Sequence, residues 1–245
     1  MALSQFFREN PAVALAFSGG VDSAYLLYAA VKTGCRVTAY YVKTPFQPEF
    51  EYQDACRLAK ELGADMQVLS LDVLEEPCIA KNPENRCYYC KKAIMSAIQK
   101  QATIDGYPVI IDGTNASDDA ADRPGMAALT ALSIRSPLRE AGLTKSEIRQ
   151  LSKEAGLFTW DKPAYACLAT RIPTGTPLTR EQLEKTERAE QYLKELGFQD
   201  FRLRHGGRLQ VTKDQLSLAQ SLWEEIGKNL QQDYPVLTLE DRYGN

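Results

Sequence analysis

An uninterrupted apolar run, Ala12-Val13-Ala14-Leu15-Ala16-Phe17, ends abruptly in Ser18-Gly19-Gly20-Val21-Asp22-Ser23, and the Ala- and Leu-rich stretch Ala24–Val31 follows. No other feature restricts the fold as much. Consecutive apolar residues without polar alternation suit a strand covered on both faces, as in a parallel sheet. A strand that turns through two glycines into a helix aims the unbonded N–H groups of the first helical turn, and the positive end of the helix dipole, at one point. Gly19 and Gly20 open unusual backbone dihedrals and let an anion approach the main chain, while Ser18 and Ser23 add hydroxyl donors. The stretch predicts a phosphate site.

The Walker motif would carry a Lys for the β- and γ-phosphates, and no Lys stands between Ser18 and Ser23. SGGVDS instead resembles the PP-loop of the adenine-nucleotide α-hydrolases. That resemblance implies ATP cleavage between the α- and β-phosphates, with Ser18, Gly19, Gly20, Val21, Asp22 and Ser23 holding pyrophosphate and AMP passing to a substrate oxygen. The competing reading is a tight strand–helix turn capped by Asp22 and Ser23.

At 245 residues, with 44% hydrophobic and 25% charged residues, the chain can bury a full core and has neither the composition of a disordered protein nor a run able to cross a bilayer. Its N-terminus lacks the pattern of a signal peptide. A cytoplasmic enzyme is expected, with no membrane partner. The formal net charge of −3 and the absence of a Lys/Arg tract argue against a nucleic acid as obligatory partner.

Strand and helix patterns alternate through the first two-thirds. Strands are expected at Val13–Phe17, Val37–Val42, Met66–Leu71 and Pro108–Asp112, and helices at Asp22–Lys32, Phe50–Leu62, Lys91–Gln101 and Lys145–Ala155. Thr144 and Glu147 form a capping box before the last of these. The alternation predicts an α/β fold, a Rossmann-like parallel sheet covered on both faces. Ligands in such sheets sit beyond the carboxyl ends of the strands, where Ser18–Ser23, Val42 and Gly113-Thr114-Asn115 should converge on the nucleotide.

After about Arg171 the character changes. Ile172–Pro177 reads as a turn-rich linker, Arg180 to about Leu196 as a charged helix, and Phe201–His205 and Arg208–Val211 as strands around Gly206-Gly207. A helix over Asp214–Asn229 and a strand near Val236–Leu239 complete a small α+β domain. The expected division is residues 1–171 for ATP and the cysteine site, and 172–245 for substrate binding or homo-oligomer formation.

Cys35, Cys56 and Cys78 are expected to be buried apolar side chains. Cys87 and Cys90 form a CxxC expected in a loop just before a helix, a spacing at which two thiolates can share one metal centre. Cys167 lies at the proposed domain junction. Three cysteines are too few for a closed zinc site and suit a cubane cluster that keeps one iron open. Zinc, and a reactive Cys167 helped by the Cys87/Cys90 pair, remain as alternatives.

Together SGGVDS, RCYYCKK, Asp112–Gly125, Ser136–Leu157, CLATRIPTG and FRLRHGG resemble, in order and wording, the LarE family, and the likeness covers nearly the whole chain. It implies an ATP-dependent sulfur transferase that adenylylates the carboxylates of a pyridinium carboxylate mononucleotide, replacing oxygen by sulfur on the route to the nickel-pincer cofactor of lactate racemase. In one branch a cysteine matched by Cys167 gives up its own sulfur and becomes dehydroalanine. In the other, which this chain resembles, Cys87, Cys90 and Cys167 hold a [4Fe-4S] cluster whose open iron passes on sulfide from a sulfur donor. A tRNA thiolase shares the loop and the three cysteines, and a non-enzymatic ATP or metal sensor would also carry them.

The family strand matched by Arg202 and Arg204 faces the substrate, and two guanidinium forks on one strand face suit phosphate or carboxylate. A solvated edge strand is the competing reading. Mg²⁺ is implied at the phosphates, where Asp22 either orients it or caps the helix. Arg123 and Arg171 either bind anions or form surface salt bridges. His205 reads as a turn residue, and Tyr88 and Tyr89 as packing around the metal centre. Gln210 stands near the place where the family carries a Glu, and its C-terminal acidic residue falls at Glu240 or Asp241 in a shifted context.

Overall fold

The computed structural model describes residues 3–118 and 129–243. The chain divides into two compact units, one formed by residues through Val73 with Glu84–Lys162, the other by Leu74–Pro83 with the residues from Pro163 onward. The expected boundary at Arg171/Ile172 therefore falls inside the second unit, which also takes a strap from the middle of the chain.

In the first unit the order is α1 (Leu3–Glu9), β1 (Ala12–Ala16), α2 (Val21–Lys32), β2 (Arg36–Lys43), α3 (Glu49–Leu62), β3 (Asp65–Ser70), α4 (Arg86–Ile104), β4 (Ile110–Asp112) and α5 (Lys145–Glu154). The strands form a parallel sheet in the order β3-β2-β1-β4. The chain works outward from β1 to β3, then crosses to the far side of β1. The topological switch point thus lies between β1 and β4, where an open α/β sheet leaves its ligand crevice.

Alternation along the strands sorts the core into two layers. Val13, Leu15, Phe17, Ala39 and Tyr41 pack with Ala24 and Leu27 of α2 and Ala55 and Leu58 of α3. Ala14, Ala16, Tyr40 and Val42 pack with Met95, Ile98 and Ala102 of α4. Burial of a side chain such as Leu15, which is fully enclosed, contributes roughly 2 kcal/mol. The capping box forms as expected: Glu147 N–H donates to Thr144 Oγ1 at 3.4 Å, and Thr144 N–H to the Glu147 carboxylate at 2.8 Å.

Two expectations for this unit change. β4 begins at Ile110 rather than Pro108, since proline has no N–H to give the ladder. α4 begins at Arg86 rather than Lys91, because nothing after Pro83 breaks a helix. The CxxC pair is therefore helical and not in a loop.

The second unit holds α6 (Arg180–Glu195), β5 (Arg202–Arg204), β6 (Arg208–Val211), α7 (Leu216–Ser221), α8 (Trp223–Leu230) and β7 (Thr238–Asp241). β5 pairs antiparallel and β7 parallel with β6. Leu193, Phe198, Leu203, Leu209, Val211, Ala219 and Ile226 make its own core. The helix expected over Asp214–Asn229 is two helices, broken at Leu222, so that Ala219 and Ile226 both point inward. The last strand starts at Thr238, beyond Pro235 and an exposed Val236, where Thr238 N–H donates to Gly207 O at 3.0 Å. Cys78 is exposed instead of buried, because the short helical turn Pro77–Ala80 buries Ile79. Among the described residues no helix is long and apolar enough to cross a membrane.

Candidate functional site

The loop after β1 is folded by its own serines. Ser18 N–H donates to Ser23 Oγ at 3.3 Å, the two hydroxyls lie 3.1 Å apart, and Ser23 Oγ donates to Gly20 O at 3.2 Å. Gly19 has φ +71°, and a Cβ there would stand 3.1 Å from that of Ala55 on α3. Two constraints, handedness and contact, thus require glycine. Gly20 is the N-cap of α2 and makes no side-chain cap, so the N–H groups of its first turn keep their outward aim.

Asp22 does not cap the helix. It sits in the first turn, where its Oδ1 accepts from Asn115 Nδ2 at 3.3 Å and its Oδ2 pairs with Lys145 Nζ. Lys145 opens α5, and its own N–H donates to Ser117 Oγ at 2.9 Å, while Ala116 N–H donates to Leu143 O at 2.8 Å. A cation, absent from the loop after β1 itself, thus reaches it from more than a hundred residues downstream. Sequence reasoning missed it by searching inside the loop; the Thr144/Glu147 box was the available signal, since it set Lys145 at the start of a helix.

The loop after β4 closes the other side of the crevice. A Cβ on Gly113 would fall 2.9 Å from Ser23 N, so only glycine lets this loop lie against the start of α2. Thr114 Oγ1 and Ser136 Oγ both donate to the buried Asp112 carboxylate at 2.6 Å, and Asn115 Oδ1 accepts from Ser117 N–H at 2.8 Å. The side chains of Thr114 and Asn115 thus shape the loop, and their own N–H groups are taken within it, donating to Asp112 Oδ1 at 3.3 Å and to Asp118 Oδ2 at 3.1 Å. Val42, at the carboxyl end of β2, is likewise buried and pairs in register with Leu69.

Cys87 and Cys90 share the first turns of α4, at the i,i+3 spacing that puts two side chains on one helix face. Cys87 is exposed and accepts from Arg86 Nη2 at 3.7 Å; Cys90 is partly exposed. The rings of Tyr88 and Tyr89 meet edge to face, 5.4 Å apart.

Cys167, also partly exposed, belongs to the second unit and opens a tight helical turn, Leu168–Arg171. Its carbonyl accepts from Thr170 N–H at 2.9 Å, Thr170 Oγ1 at 2.8 Å and Arg171 Nη1 at 3.4 Å. Arg171 is not a surface residue. It is 1% exposed, donates through Nε and Nη2 to Glu190 at 2.8 Å each, and reaches Ala166 O at 2.7 Å. Burial alone would lower its pKa, but the Glu190 carboxylate outweighs it and holds the guanidinium above its ordinary value. Glu190 also accepts from Tyr165 OH at 2.6 Å and Leu203 N–H at 2.9 Å. Sequence reasoning missed this hub, although Glu190 falls on the inward stripe of α6 with Leu183, Thr186 and Leu193.

The two strand arginines differ, and neither is solvated edge decoration. Arg202 is 5% exposed, donates to Phe201 O and Ala164 O at 2.6 and 3.0 Å, and stacks over Tyr165. Burial, then Arg171 and Arg242, push its pKa down to about 10. Arg204 donates to Gln210 Oε1 at 2.8 Å and Thr170 O at 2.7 Å, and Gln210 in turn donates to Glu240 at 3.0 Å. Gln210 and Glu240 thus join in one line behind Arg204. Arg123 lies outside the described residues.

Among the described residues, no group of three His, Cys, Asp or Glu side chains is gathered to hold a metal ion. Cys87 and Cys90 share a helical turn, and Cys167 is carried by the other unit. In donor chemistry the three thiols fit an iron–sulfur cluster: soft ligands, one short of a closed set.

The model for the ThiI family, described as thiamine biosynthesis protein, matches residues 8–195. An uncharacterized protein of Synechocystis is 38% identical over 82% of this chain and 76% of its own length. The pyridinium-3,5-bisthiocarboxylic acid mononucleotide synthase of Lactiplantibacillus plantarum is 37% identical over 80% of this chain and 72% of its own. An uncharacterized protein of Methanocaldococcus jannaschii is 32% identical over 92% and 87%.

Proposed function

The chain belongs to the LarE family of PP-loop sulfur transferases, and on that premise we propose that it is a cytoplasmic enzyme that adenylylates a carboxylate of a pyridinium carboxylate mononucleotide with ATP and replaces oxygen there by sulfur. The observation that supports this reading is a pair of loops at the β1/β4 switch point whose close approaches require Gly19 and Gly113, in a chain that matches a bisthiocarboxylate synthase along 80% of its length.

The chemistry follows from the charges. A carboxylate approaches the α-phosphorus only if the phosphate charge is screened. Backbone N–H groups of Ser18–Ser23 hold the departing pyrophosphate, and the Gly113–Asn115 loop and the backbone at Val42 hold the remainder of the nucleotide. Lys145, paired with Asp22 beside the loop, is the cation available to screen the phosphates, and Asp22 would orient Mg²⁺ there. The carboxylate oxygen bonds to the α-phosphorus as the α–β bond breaks, and the acyl-adenylate then carries AMP as a good leaving group. A sulfur nucleophile adds to the acyl carbon, and AMP departs with the oxygen it was given.

Cys87, Cys90 and Cys167 would hold the [4Fe-4S] cluster, which when bound supplies an open position for an inorganic sulfur ligand. Arg204 contacts the substrate's phosphate or carboxylate, and Arg202 acts as a positioning residue through Ala164 and Tyr165. A homo-oligomer and a small-molecule substrate, with no nucleic acid, complete the reading.

The test is anaerobic purification with iron and sulfide counted in wild type and Cys87→Ala, together with pyrophosphate release on the mononucleotide. The expected result is iron in the wild type, its loss in the variant, and substrate-dependent pyrophosphate in both. An iron-free protein that turns Cys167 into dehydroalanine in a single turnover would replace the cluster with a sacrificial sulfur. Pyrophosphate release driven by tRNA alone would overturn the substrate.

A further inference from the structure

The sheet of the second unit has two unlike faces. Leu203, Leu209 and Val211 point into the core. The register sets Arg202 opposite Gln210, Arg204 opposite Arg208, and Gln210 opposite Glu240, so these side chains share the other face. Three guanidiniums stand there against a single carboxylate, with one neutral amide between them.

How those charges pair decides what the face can take. The Glu240 carboxylate accepts from Gln210 Nε2 at 3.0 Å and lies 3.7 Å from Arg208 Nη1. Donating to Glu240 turns the Gln210 amide so that its carbonyl oxygen meets Arg204 Nε at 2.8 Å. The other acceptor on Arg204 is Thr170 O at 2.7 Å, and Arg202 is likewise held by the carbonyls of Phe201 and Ala164. Neutral oxygens thus aim both guanidiniums without cancelling their charge. Among the described residues Glu190 ion-pairs with Arg171 and Glu240 with Arg208, not with Arg202 or Arg204. Burial, then Arg171, Arg208 and Arg242, hold the Arg204 pKa below its ordinary value, as expected of a cation set mainly among cations.

We propose that Gln210 determines the specificity of this face: its neutral carbonyl aims Arg204 and leaves two guanidiniums uncompensated, which select the phosphomonoester of the mononucleotide over its carboxylate. The inference deepens the proposed function and rests on it. A phosphomonoester brings about 1.5 to 2 negative charges at neutral pH and three acceptor oxygens, whereas a carboxylate brings one charge and two oxygens. A glutamate in place of Gln210 would keep the length of the side chain, set a carboxylate on Arg204 and remove half of the excess.

The experiment uses the full chain with its ATP site filled by α,β-methylene-ATP, so that the loop after β1 is closed to other phosphates. Two fragment probes are titrated by calorimetry: ribose 5-phosphate, which carries the phosphomonoester alone, and pyridine-3-carboxylate, which carries the carboxylate alone. Wild type is compared with Gln210→Glu and with Gln210→Glu/Glu240→Gln. The double variant keeps the wild-type net charge and an amide–carboxylate bond, but moves the carboxylate onto Arg204. Thermal melting shows that each variant is folded, and pyrophosphate release with the mononucleotide is measured alongside.

Wild type should bind ribose 5-phosphate more tightly than pyridine-3-carboxylate. Both variants should lose about tenfold for ribose 5-phosphate, the lower end of what one charge-assisted bond is worth, and change little for the carboxylate. Unchanged affinity for ribose 5-phosphate in the double variant would overturn the role of Gln210. Equal weakening of both probes would reduce it to a structural residue and overturn the selectivity. Failure of ribose 5-phosphate to bind the wild type, or tighter binding of the carboxylate, would overturn the phosphate assignment. Each of these results leaves substrate-dependent pyrophosphate release in the wild type standing. Absence of that release would instead remove the proposed function, and this inference with it.

Discussion

Lys145 Nζ lies on the Asp22 carboxylate, with side chains 36% and 22% exposed. A pair so open to water contributes at most about 1 kcal/mol, and the Asp22 charge left behind in Lys145→Met still sits in the first turn of α2, where the helix dipole favours it. Lys145→Met should therefore lower the melting temperature by only about 2–4 °C. The functional cost differs, because one charge-assisted bond to a phosphate is worth about 1.5–3 kcal/mol. The expected loss in kcat/KM for substrate-dependent pyrophosphate release is roughly 10- to 150-fold. Lys145→Arg, which keeps the charge, should recover part of it. Asp22→Asn completes a cycle. If Asp22 only parks the lysine, the double variant is no worse than Lys145→Met; if Asp22 also orients Mg²⁺, the two losses multiply and the Mg²⁺ requirement of the single Asp22 variant rises. A Lys145→Met enzyme within threefold of wild type in kcat/KM would refute the reasoning that this distant lysine replaces the Walker cation.

Further outcomes follow from individual contacts. Gly113→Ala places a methyl 2.9 Å from Ser23 N, and urea unfolding should show a loss of roughly 1–3 kcal/mol, with weaker ATP binding by calorimetry. Glu190→Leu strips the fully buried Arg171 of its counter-charge and should cost about 3–5 kcal/mol, whereas the double variant Arg171→Met/Glu190→Leu should lose less, as measured by chemical denaturation. The Asp105 carboxyl is held below its usual range chiefly by Tyr40 OH at 2.6 Å, with help from Gln101 and Gln67. A depressed folded-state pKa gives stability that is present above the ordinary carboxylate pKa of about 3.9 and disappears as pH falls through the lower folded value. Thermal scans from neutral pH down to about pH 3 should show that part of the acid sensitivity flattened in Tyr40→Phe.

What the sequence disclosed and what it withheld separate along the range of the interaction involved. β1, the turn after it, α2 and the Thr144/Glu147 box rest on neighbours a few residues apart, so each was legible from its own window of chain. The start of α4 was misplaced for a related reason: the CxxC reads as a loop motif, while Arg86 to Cys90 contains no residue that stops a helix. The Asp22–Lys145 pair, the burial of Arg171 by Glu190, and the strap's membership of the second unit are set by partners far along the chain. Periodicity carries no trace of which partner is chosen. Glu190 left a mark, as a carboxylate on an apolar stripe, and the Thr144/Glu147 box marked Lys145 as the first residue of a helix.

That long-range layer also bears on where the sulfur residues stand in the chain. The polypeptide passes from one unit to the other between Val73 and Leu74, between Pro83 and Glu84, and between Lys162 and Pro163. Cys87 is the fourth residue after the second passage, and Cys167 the fifth after the third. Cys35 and Cys56 lie well inside the first unit, one buried and one partly so. A cysteine kept only as a small core side chain has no reason to follow a passage so closely, since cores sit away from connecting segments. Cys78, exposed within the strap itself, supplies the comparison for the proposed ligands: Cys78→Ser should leave iron content and sulfur transfer unchanged where Cys87→Ala and Cys167→Ala abolish them, and equal losses in all three would show that iron does not depend on these cysteines in particular.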